Sequence, residues 1–214
     1  MTKGIVVLAQ NNETDNYVEQ SALLAMSLRY HNDVPISLIT NDQVPEEYVN
    51  LFDKIIPIPF GDSAEDSEWK VENRWKIYHA SPYDETIVMD TDMLVLQNID
   101  TWWDFLSNYE MFFTSNVLTY RGETANTSYY RQTFISNNLP NLFCGFHYFK
   151  KCEFAKEFYT WLELVVNNWE TFYEQHLEAT TRPKHVSIDV CSAIVVKILN
   201  CEAVVTNKVA KFPS

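Results

Sequence analysis

Two acidic residues interrupt an otherwise apolar stretch near the middle of the chain. Asp90 and Asp92 lie in the segment from Thr86 to Leu96, which otherwise consists mainly of Ile, Val, Met and Leu. In an extended chain, residues two apart face the same side, so both carboxylates can meet one ligand. Like charges held together are costly unless a cation neutralises them, and carboxylate oxygens suit Mg²⁺ or Mn²⁺. The pair predicts a divalent-metal site; the plainer alternative is a cap on a turn at the end of a strand.

A metal at this pair would make phosphate chemistry available. Mg²⁺ is commonly bound by one or two carboxylates together with substrate phosphates, and such a cation stabilises the charge on a departing nucleoside diphosphate. The chain has only four glycines, which argues against a Gly-rich loop as the means of holding a nucleotide. We therefore expect phosphate to be bound through the metal.

Three further side chains are candidates for a ligand site. Tyr17 follows a polar stretch at the start of a predicted helix, where its ring could stack on a nucleobase or pack on the sheet. Lys76 lies on a predicted helix before the acidic pair, where it could contact phosphate or face solvent. Asp189 begins the last predicted helix, where the helix dipole alone favours an acid, and where it could also contact the reacting centre.

Short apolar runs alternate with helical patterns along the chain. Strands are predicted at Ile5–Ala9, Pro35–Ile39, Lys54–Ile58, Glu85–Met89 and Leu142–Phe149. Helices are predicted at Tyr17–Tyr30, Pro45–Leu51, Val71–Ala80, Cys152–Glu178 and Val186–Leu199. The alternation predicts an α/β fold, a Rossmann-like and mostly parallel central sheet flanked by helices, with ligands at the carboxyl ends of its strands.

Two segments do not fit this alternation. Met93–Leu96 continues the apolar run after the acidic pair and is predicted to be extended. Thr119–Asn138 is polar and aromatic with few aliphatic residues, which predicts a long loop of the kind that often forms a functional lid.

The first helix is predicted to begin with Thr14 or Asp15 as its N-cap.

Composition limits the partners and the compartment. The formal net charge is −13, from 29 acidic and 16 basic residues, which weighs against a nucleic-acid partner. No run of about 18 apolar residues occurs, so no membrane span is expected. The four cysteines form no CxxC pair, which favours free thiols in a reducing, cytoplasmic compartment. We expect residues 1–214 to form a single domain.

Several segments together resemble family 8 glycosyltransferases, the group that contains glycogenin and bacterial lipopolysaccharide sugar transferases. The most specific segment is Val88–Asp100, with its acidic pair and the later Asn98. The segment Thr14–Tyr17 followed by Ser21–Arg29 is also similar, and so is Lys76 about one helix before the acidic pair. The resemblance spans roughly residues 8–199.

The resemblance implies a GT-A fold and a metal-dependent transfer of sugar from a nucleotide diphosphate donor, UDP rather than GDP, with retention of the anomeric configuration. The implied acceptor is a glycan, a protein or a small molecule. Tyr17 would lie against the base, and Asp90 and Asp92 would bind Mn²⁺ or Mg²⁺. Lys76 would contact the phosphates, and Asp189 the donor sugar or the reacting centre. The implied nucleoside and donor contacts are Leu8, Ala9, Gln10, Asn11 and Thr91.

The chain departs from the family pattern in three places. Phe143 stands where the family has an asparagine that touches the sugar, although Asn141 is close in sequence. Val190 follows Asp189 where the family often has glutamine. The family's third metal ligand, a histidine in a C-terminal motif, has no counterpart before Ser214. We expect either that the sequence is short or that water or another side chain completes the coordination, with His185 the best candidate.

Two other functions fit the same residues. A phosphatase of the haloacid dehalogenase type also carries two aspartates after an apolar strand and uses the first as a nucleophile. That motif normally opens the chain, whereas Asp90 follows three predicted strands. The second alternative is a catalytically silent GT-A module that binds nucleotide without turnover.

Overall fold

The computed structural model describes residues 1–115, 118, 121–123 and 129–207, with the backbone alone at Tyr129. Its centre is a six-stranded sheet in the order β3-β2-β1-β4-β6-β5. The strands are β1 (Lys3–Leu8), β2 (Ile36–Ile39), β3 (Lys54–Ile56), β4 (Glu85–Met89), β5 (Met111–Thr114) and β6 (Phe143–Lys150). The first four are parallel, while β6 runs antiparallel to both β4 and β5. The prediction of a mostly parallel α/β sheet is confirmed.

Helices surround this sheet. The longer ones are α1 (Tyr17–His31), α4 (Asp100–Leu106), α5 (Tyr129–Ser136), α6 (Glu153–Asn167), α7 (Trp169–His176) and α8 (Ile188–Ile198). The short ones are α2 (Glu46–Val49), α3 (Ile77–Ala80), α9 (Glu202–Val205) and a 3₁₀ helix at Val71–Lys76. Among the described residues, no helix is long and apolar enough to cross a membrane.

Alternate residues of the central strands supply two apolar cores, one on each face of the sheet. In β1, Ile5 and Val7 pack with α1 and α4, whereas Val6 and Leu8 face the core that contains α6 and α8. This alternation is the two-residue period of an extended strand. Helices cover both faces, which explains why the central strands are continuously apolar in sequence.

Several predicted boundaries were wrong for local reasons. The N-cap of α1 is Asn16, whose side chain accepts a hydrogen bond from the Glu19 N–H at 3.1 Å. Asn12 instead orders the preceding loop by accepting the N–H groups of Thr14 and Asp15. The long helix predicted at Cys152–Glu178 is two helices, separated at Asn168, which has non-helical backbone angles.

The predicted loop at Thr119–Asn138 contains a helix. Residues 119–120 and 124–128 lie outside the described residues, but α5 occupies the following positions. Phe134 on this helix is fully buried and Thr133 nearly so. The helix was not predicted because the segment is polar and aromatic in composition. Three other elements, α4, β5 and α9, were also missed.

The segment 93–96, predicted to be extended, is neither strand nor helix and does not join the sheet. It runs alongside α1, where the Thr91 hydroxyl donates to the Gln20 side chain at 3.1 Å and the Val95 N–H donates to the Ser27 hydroxyl at 2.9 Å. Val95 is buried against α1, whereas Leu94 and Leu96 are exposed. Side-chain hydrogen bonds from α1 thus position this segment.

Candidate active site

A cavity of about 300 Å³ lies at the carboxyl edge of the parallel strands. Val7 of β1 pairs with Met89 of β4, so the residues that follow these two positions emerge side by side. Such an edge is the usual ligand site of an open α/β sheet. The lining residues are Leu8, Gln10, Tyr17, Trp69, Lys70, Val71, Arg74, Asp90, Thr91, Asp92 and Ile188.

The acidic pair lies in this cavity, although not on a strand as predicted. β4 ends at Met89, and Asp90 and Asp92 occupy the turn that follows. Both carboxylates nevertheless line the same cavity. Partial burial of the Asp92 carboxylate, together with the charge of Asp90, raises the pKa of Asp92. The turn therefore brings the two carboxylates to one cavity, as the extended strand was predicted to do.

Asp90 is held by a cation and by the neighbouring strand. Its carboxylate forms an ion pair with Arg74, whose side chain is only 14% exposed. Burial opposes the charge on Arg74, but the Asp90 carboxylate outweighs it, so the pKa of Arg74 is raised. The Asp90 N–H donates to the Gly145 carbonyl at 2.8 Å.

Gly145 is required by this close approach. A Cβ atom at this position would lie 2.6 Å from Oδ2 of Asp90 and 2.3 Å from Cζ of Phe143. Both distances are shorter than a normal contact, so a larger residue would displace the acidic pair or the Phe143 ring. Glycine at this position thus has a steric reason.

The Nε atom of Arg74 is buried and makes no hydrogen bond to the residues that the structure describes. A buried donor without a partner costs about 1–3 kcal/mol. An anion in the cavity could accept from this guanidinium, because arginine binds phosphate and carboxylate through several N–H groups at once.

Lys76, the residue predicted to contact phosphate, is not in the cavity. Its side chain is fully buried, and its ammonium donates to the Gly61 carbonyl, the Ser63 hydroxyl and Asn73 Oδ1 at 2.6–2.8 Å. Burial lowers its pKa. Residues two apart on a 3₁₀ helix point roughly 120° apart, so Arg74 faces the cavity while Lys76 fastens the loop that begins at Gly61.

Of the four residues 8–11 at the end of β1, some line the cavity and others do not. Leu8 and Gln10 line the cavity, and Gln10 is fixed by hydrogen bonds to Asp62 at 2.8 Å and Asn73 at 2.7 Å. Ala9 is fully buried in the core. Asn11 lines the adjacent cleft; its side chain accepts the Val18 N–H at 3.1 Å, at the start of α1.

Two aromatic rings line the cavity. Tyr17 is partly buried in the first turn of α1, and burial, with the charges of Asp15 and Asp92, raises its pKa. Trp69 is 56% exposed, and sequence analysis did not single it out. The available signal was its position in Trp69-Lys70, a large aromatic and a cation directly after an acidic loop.

Asp189 lies behind the cavity wall and is fully engaged. One carboxylate oxygen accepts the Cys144 N–H at 2.8 Å, and the other pairs with Arg131 at 3.2 Å. Burial raises the pKa of Asp189 against the opposing charge of Arg131. Its neighbour Ile188 is the residue of α8 that lines the cavity. Arg131 was missed because its segment was predicted to be a loop.

Among the described residues, Asp90 and Asp92 are not joined by a third metal-ligating side chain. Within the part of the chain that the structure describes, no three His, Cys, Asp or Glu side chains are grouped so that they could hold a metal ion. His185 is therefore not placed with Asp90 and Asp92. The pair still fits Mg²⁺ or Mn²⁺, because such cations commonly take one or two protein carboxylates and complete their shell with water and phosphate.

The fold is that of GT-A glycosyltransferases. The glycosyltransferase GlyE of Streptococcus pneumoniae TIGR4 aligns over 97% of this chain and 46% of its own, with a TM-score of 0.55 and 15% identity. A galactosyltransferase, LgtC, solved with donor and acceptor sugar analogues, aligns over 90% of this chain and 70% of its own, with a TM-score of 0.59 and 13% identity. Mouse xyloside xylosyltransferase 1 has a TM-score of 0.59 at 9% identity, over 97% of this chain and 84% of its own.

These likenesses establish the fold and confirm that prediction. No protein-family model matches the chain, and no curated protein matches it. The chain spans about half the length of the GlyE chain that it resembles. At these identities the comparisons do not assign the chain to family 8.

Proposed function

We propose that this protein transfers a sugar from a nucleoside diphosphate donor to an acceptor hydroxyl. The observation that carries the proposal is the convergence of Asp90, Asp92, Arg74 and Tyr17 on one cavity at the carboxyl edge of a GT-A sheet. The four side chains match the parts of such a donor. The carboxylates suit a metal, the guanidinium suits phosphate and the ring suits a base.

In this proposal Asp90 and Asp92 hold Mn²⁺ or Mg²⁺. The cation, when bound, stabilises the negative charge on the departing diphosphate. Arg74 pairs with Asp90 and also lines the cavity, so its positive charge faces the space that a diphosphate would occupy. We therefore assign the phosphate contact to Arg74 in place of Lys76.

The remaining residues orient the donor and the strand beside it. Tyr17 stacks on the base, with UDP favoured over GDP by the resemblance to family 8. Asp189 holds the N–H of Cys144, next to Gly145, and Gly145 accepts from Asp90. Asp189 is thus a positioning residue for the acidic pair in this proposal.

The reaction exchanges one bond at the anomeric carbon for another. The acceptor oxygen bonds to that carbon, and the bond from the carbon to the diphosphate oxygen breaks. The electron pair leaves with the nucleoside diphosphate, and the proton of the acceptor hydroxyl is released. The resemblance favours retention of configuration, which NMR of the product would test.

The phosphatase alternative is not favoured, because the fold matches that of GT-A glycosyltransferases. Release of phosphate from a generic phosphoester without any sugar nucleotide would favour it nonetheless.

The direct test is a panel of UDP- and GDP-sugars incubated with the protein and Mn²⁺. We expect at least one donor to be hydrolysed or transferred, with activity lost in EDTA. Nucleotide binding without turnover of any donor would instead favour the catalytically silent module. Failure of every donor to bind would contradict the proposal.

A further inference from the structure

A second cavity, of about 480 Å³, adjoins the first at Asp92. The segment 92–97 forms one side of its lining, and Trp102, Phe143 and Phe146 complete it. Its volume lies within the roughly 300–1,000 Å³ range of small-molecule sites. Apart from Asp92 and Gln97, the residues that line it are aliphatic or aromatic.

Alternating burial along the segment 94–96 gives this cavity its apolar wall. Val95 is buried, whereas Leu94 and Leu96 are 63% and 78% exposed. Both leucines leave apolar surface in water, and a ligand in the cavity would bury part of it. The hydrogen bond from the Val95 N–H to Ser27 on α1 holds the segment in the orientation that presents both leucines.

Aromatic side chains from two other elements make up the rest of the wall. The rings of Trp102 on α4 and Phe146 on β6 meet edge to face, with their centroids 5.3 Å apart. Phe143, at the first position of β6, lies where a Cβ on Gly145 would meet its ring. Their flat faces suit an aryl group or the apolar face of a sugar ring.

The two cavities share one residue, and that residue is a proposed metal ligand. Asp92 lines both the charged cavity and the apolar one. Sugar transfer requires the acceptor hydroxyl to meet the anomeric carbon next to the diphosphate, hence near Asp92. Resting on the proposed function, we infer that the apolar cavity is the acceptor subsite and takes an acceptor that carries an alkyl or aryl group beside its hydroxyl-bearing part.

This arrangement divides recognition between the two cavities. The donor is held by charge and metal, whereas the acceptor is held by the burial of apolar surface. Gln97 is the neutral polar side chain of the lining that can hydrogen-bond a sugar hydroxyl. In the transfer, the acceptor oxygen bonds to the anomeric carbon as the diphosphate leaves with the electron pair of the broken bond, and the hydroxyl proton is released.

The experiment compares 4-nitrophenyl and methyl glycosides of the same sugar, glucose and then galactose. Binding to the protein saturated with Mn²⁺ and UDP is measured by calorimetry. We expect the nitrophenyl glycoside to bind roughly tenfold or more tightly than the methyl glycoside, because its ring would be buried in the cavity. The L94S/L96S variant should reduce this preference to about twofold or less.

The matched control is L23S, which removes another exposed leucine, 53% exposed on α1, from outside the cavity lining. It should leave the preference unchanged. Because Leu94 and Leu96 are exposed, their replacement should leave the fold intact, and binding of UDP with Mn²⁺ should match that of the wild type. Circular dichroism and nucleotide binding on the same samples check both points.

The outcomes separate this inference from the proposed function. If UDP binds but the two glycosides bind equally, or if the preference persists in L94S/L96S, the acceptor subsite is wrong and the donor site stands. If the leucine variant only converts a dimer into a monomer, the surface is an interface between copies and the inference is overturned. If no nucleoside diphosphate binds with Mn²⁺, the proposed function and the acceptor subsite both fail.

Discussion

At the residue scale, the site contains charged side chains that attract or repel one another. Asp90 lies between a buried guanidinium and the backbone of β6, with Asp92 nearby. Arg74 neutralises Asp90 in the absence of ligand, which makes two neighbouring carboxylates tolerable. The same guanidinium competes with any metal for Asp90. Metal and diphosphate should therefore be needed together, because the phosphate offers Arg74 another anion.

Replacing either acid should abolish most activity. A metal supplies several kcal/mol of charge stabilisation in the transition state, so D90N and D92N should each lower kcat by on the order of 10²-fold or more. D33N, which changes an exposed aspartate outside the cavity, should behave as wild type. Near-native turnover by D90N or D92N at saturating Mn²⁺ would refute the metal assignment.

Removing the guanidinium should have opposite effects on the two ligands. R74Q frees Asp90, so Mn²⁺ alone should bind more tightly than it does to the wild type. The loss of a charged phosphate contact should weaken UDP binding in the presence of Mn²⁺ by about 1.5–3 kcal/mol. Calorimetry measures both, with K54Q, at an exposed lysine of β3, as a control for the same change in net charge. Weaker binding of Mn²⁺ alone by R74Q would contradict this account.

The ring of Tyr17 should contribute to nucleotide affinity, whereas its hydroxyl should not. Y17A should weaken UDP binding by roughly 1–3 kcal/mol, the range measured for base–aromatic stacking. Y17F keeps the ring and should be nearly silent. Equal affinity of wild type and Y17A, measured by calorimetry, would mean that Tyr17 only packs at the start of α1.

At the scale of elements, β6 connects the site to the core. The Gly145 carbonyl accepts from Asp90 and the Cys144 N–H donates to Asp189, while His147 lies deeper in the strand. The two ring nitrogens of His147 form hydrogen bonds with the Cys144 carbonyl at 2.8 Å and the Tyr159 hydroxyl of α6 at 2.9 Å. A neutral imidazole therefore links the strand of the site to the helix packed on the sheet.

Protonation of His147 should destabilise the fold. Burial lowers the pKa of His147 from 6.5 to about 4 in the folded protein. The folded value lies below the unfolded one, so the contribution to stability is complete above pH 6.5 and is lost as the pH falls from about 6.5 toward 4. The shift corresponds to about 3 kcal/mol over that window.

Denaturant unfolding between pH 7.5 and 4.5 measures this contribution. H147Q lacks the titrating group, so its free energy of unfolding should fall less steeply with decreasing pH than that of the wild type. H176Q, at a partly buried histidine on α7, provides a comparison at a second site. Parallel pH profiles for wild type and H147Q would show that His147 is not the titrating group.

At the scale of the whole molecule, the fold brings together acids that repel each other and a ligand that is itself anionic. Mn²⁺ alone should bind weakly because Arg74 occupies Asp90, and UDP alone faces two carboxylates. A metal held by Asp90 and Asp92 would offset the negative charge of both the carboxylates and the diphosphate, so metal and nucleotide together should stabilise the fold by more than the sum of their separate effects.

This coupling should be visible in thermal unfolding. Ligand at about a hundred times its dissociation constant stabilises a fold by roughly 2.7 kcal/mol. For a domain of this size the shift in Tm is roughly 5–10 °C. Mn²⁺ with UDP or GDP should reach that range, each alone should fall well short, and D92N should lose the synergy. If no nucleoside diphosphate adds to the effect of Mn²⁺ alone, the protein is not a sugar-nucleotide enzyme.

The sequence alone determined the parallel strands of the sheet and the acidic pair. Buried parallel strands are short, continuously apolar runs, so β1, β2 and β4 could be located within a residue or two. The pair at Asp90 and Asp92 was conspicuous because acids rarely interrupt such a run. These features depend on neighbours in sequence, which is the information that a single chain provides.

Tertiary structure decided which side chains face the cavity. Arg74 and Lys76 are both cations on one short helix, and only the helical geometry shows that the first faces Asp90 and the second a loop. Asp189 was found from sequence, but its partner Arg131 lies 58 positions earlier, on a helix that composition concealed. Contacts between residues so far apart in sequence depend on how helices and strands pack, because local sequence preferences do not specify which distant side chain a residue contacts across the core.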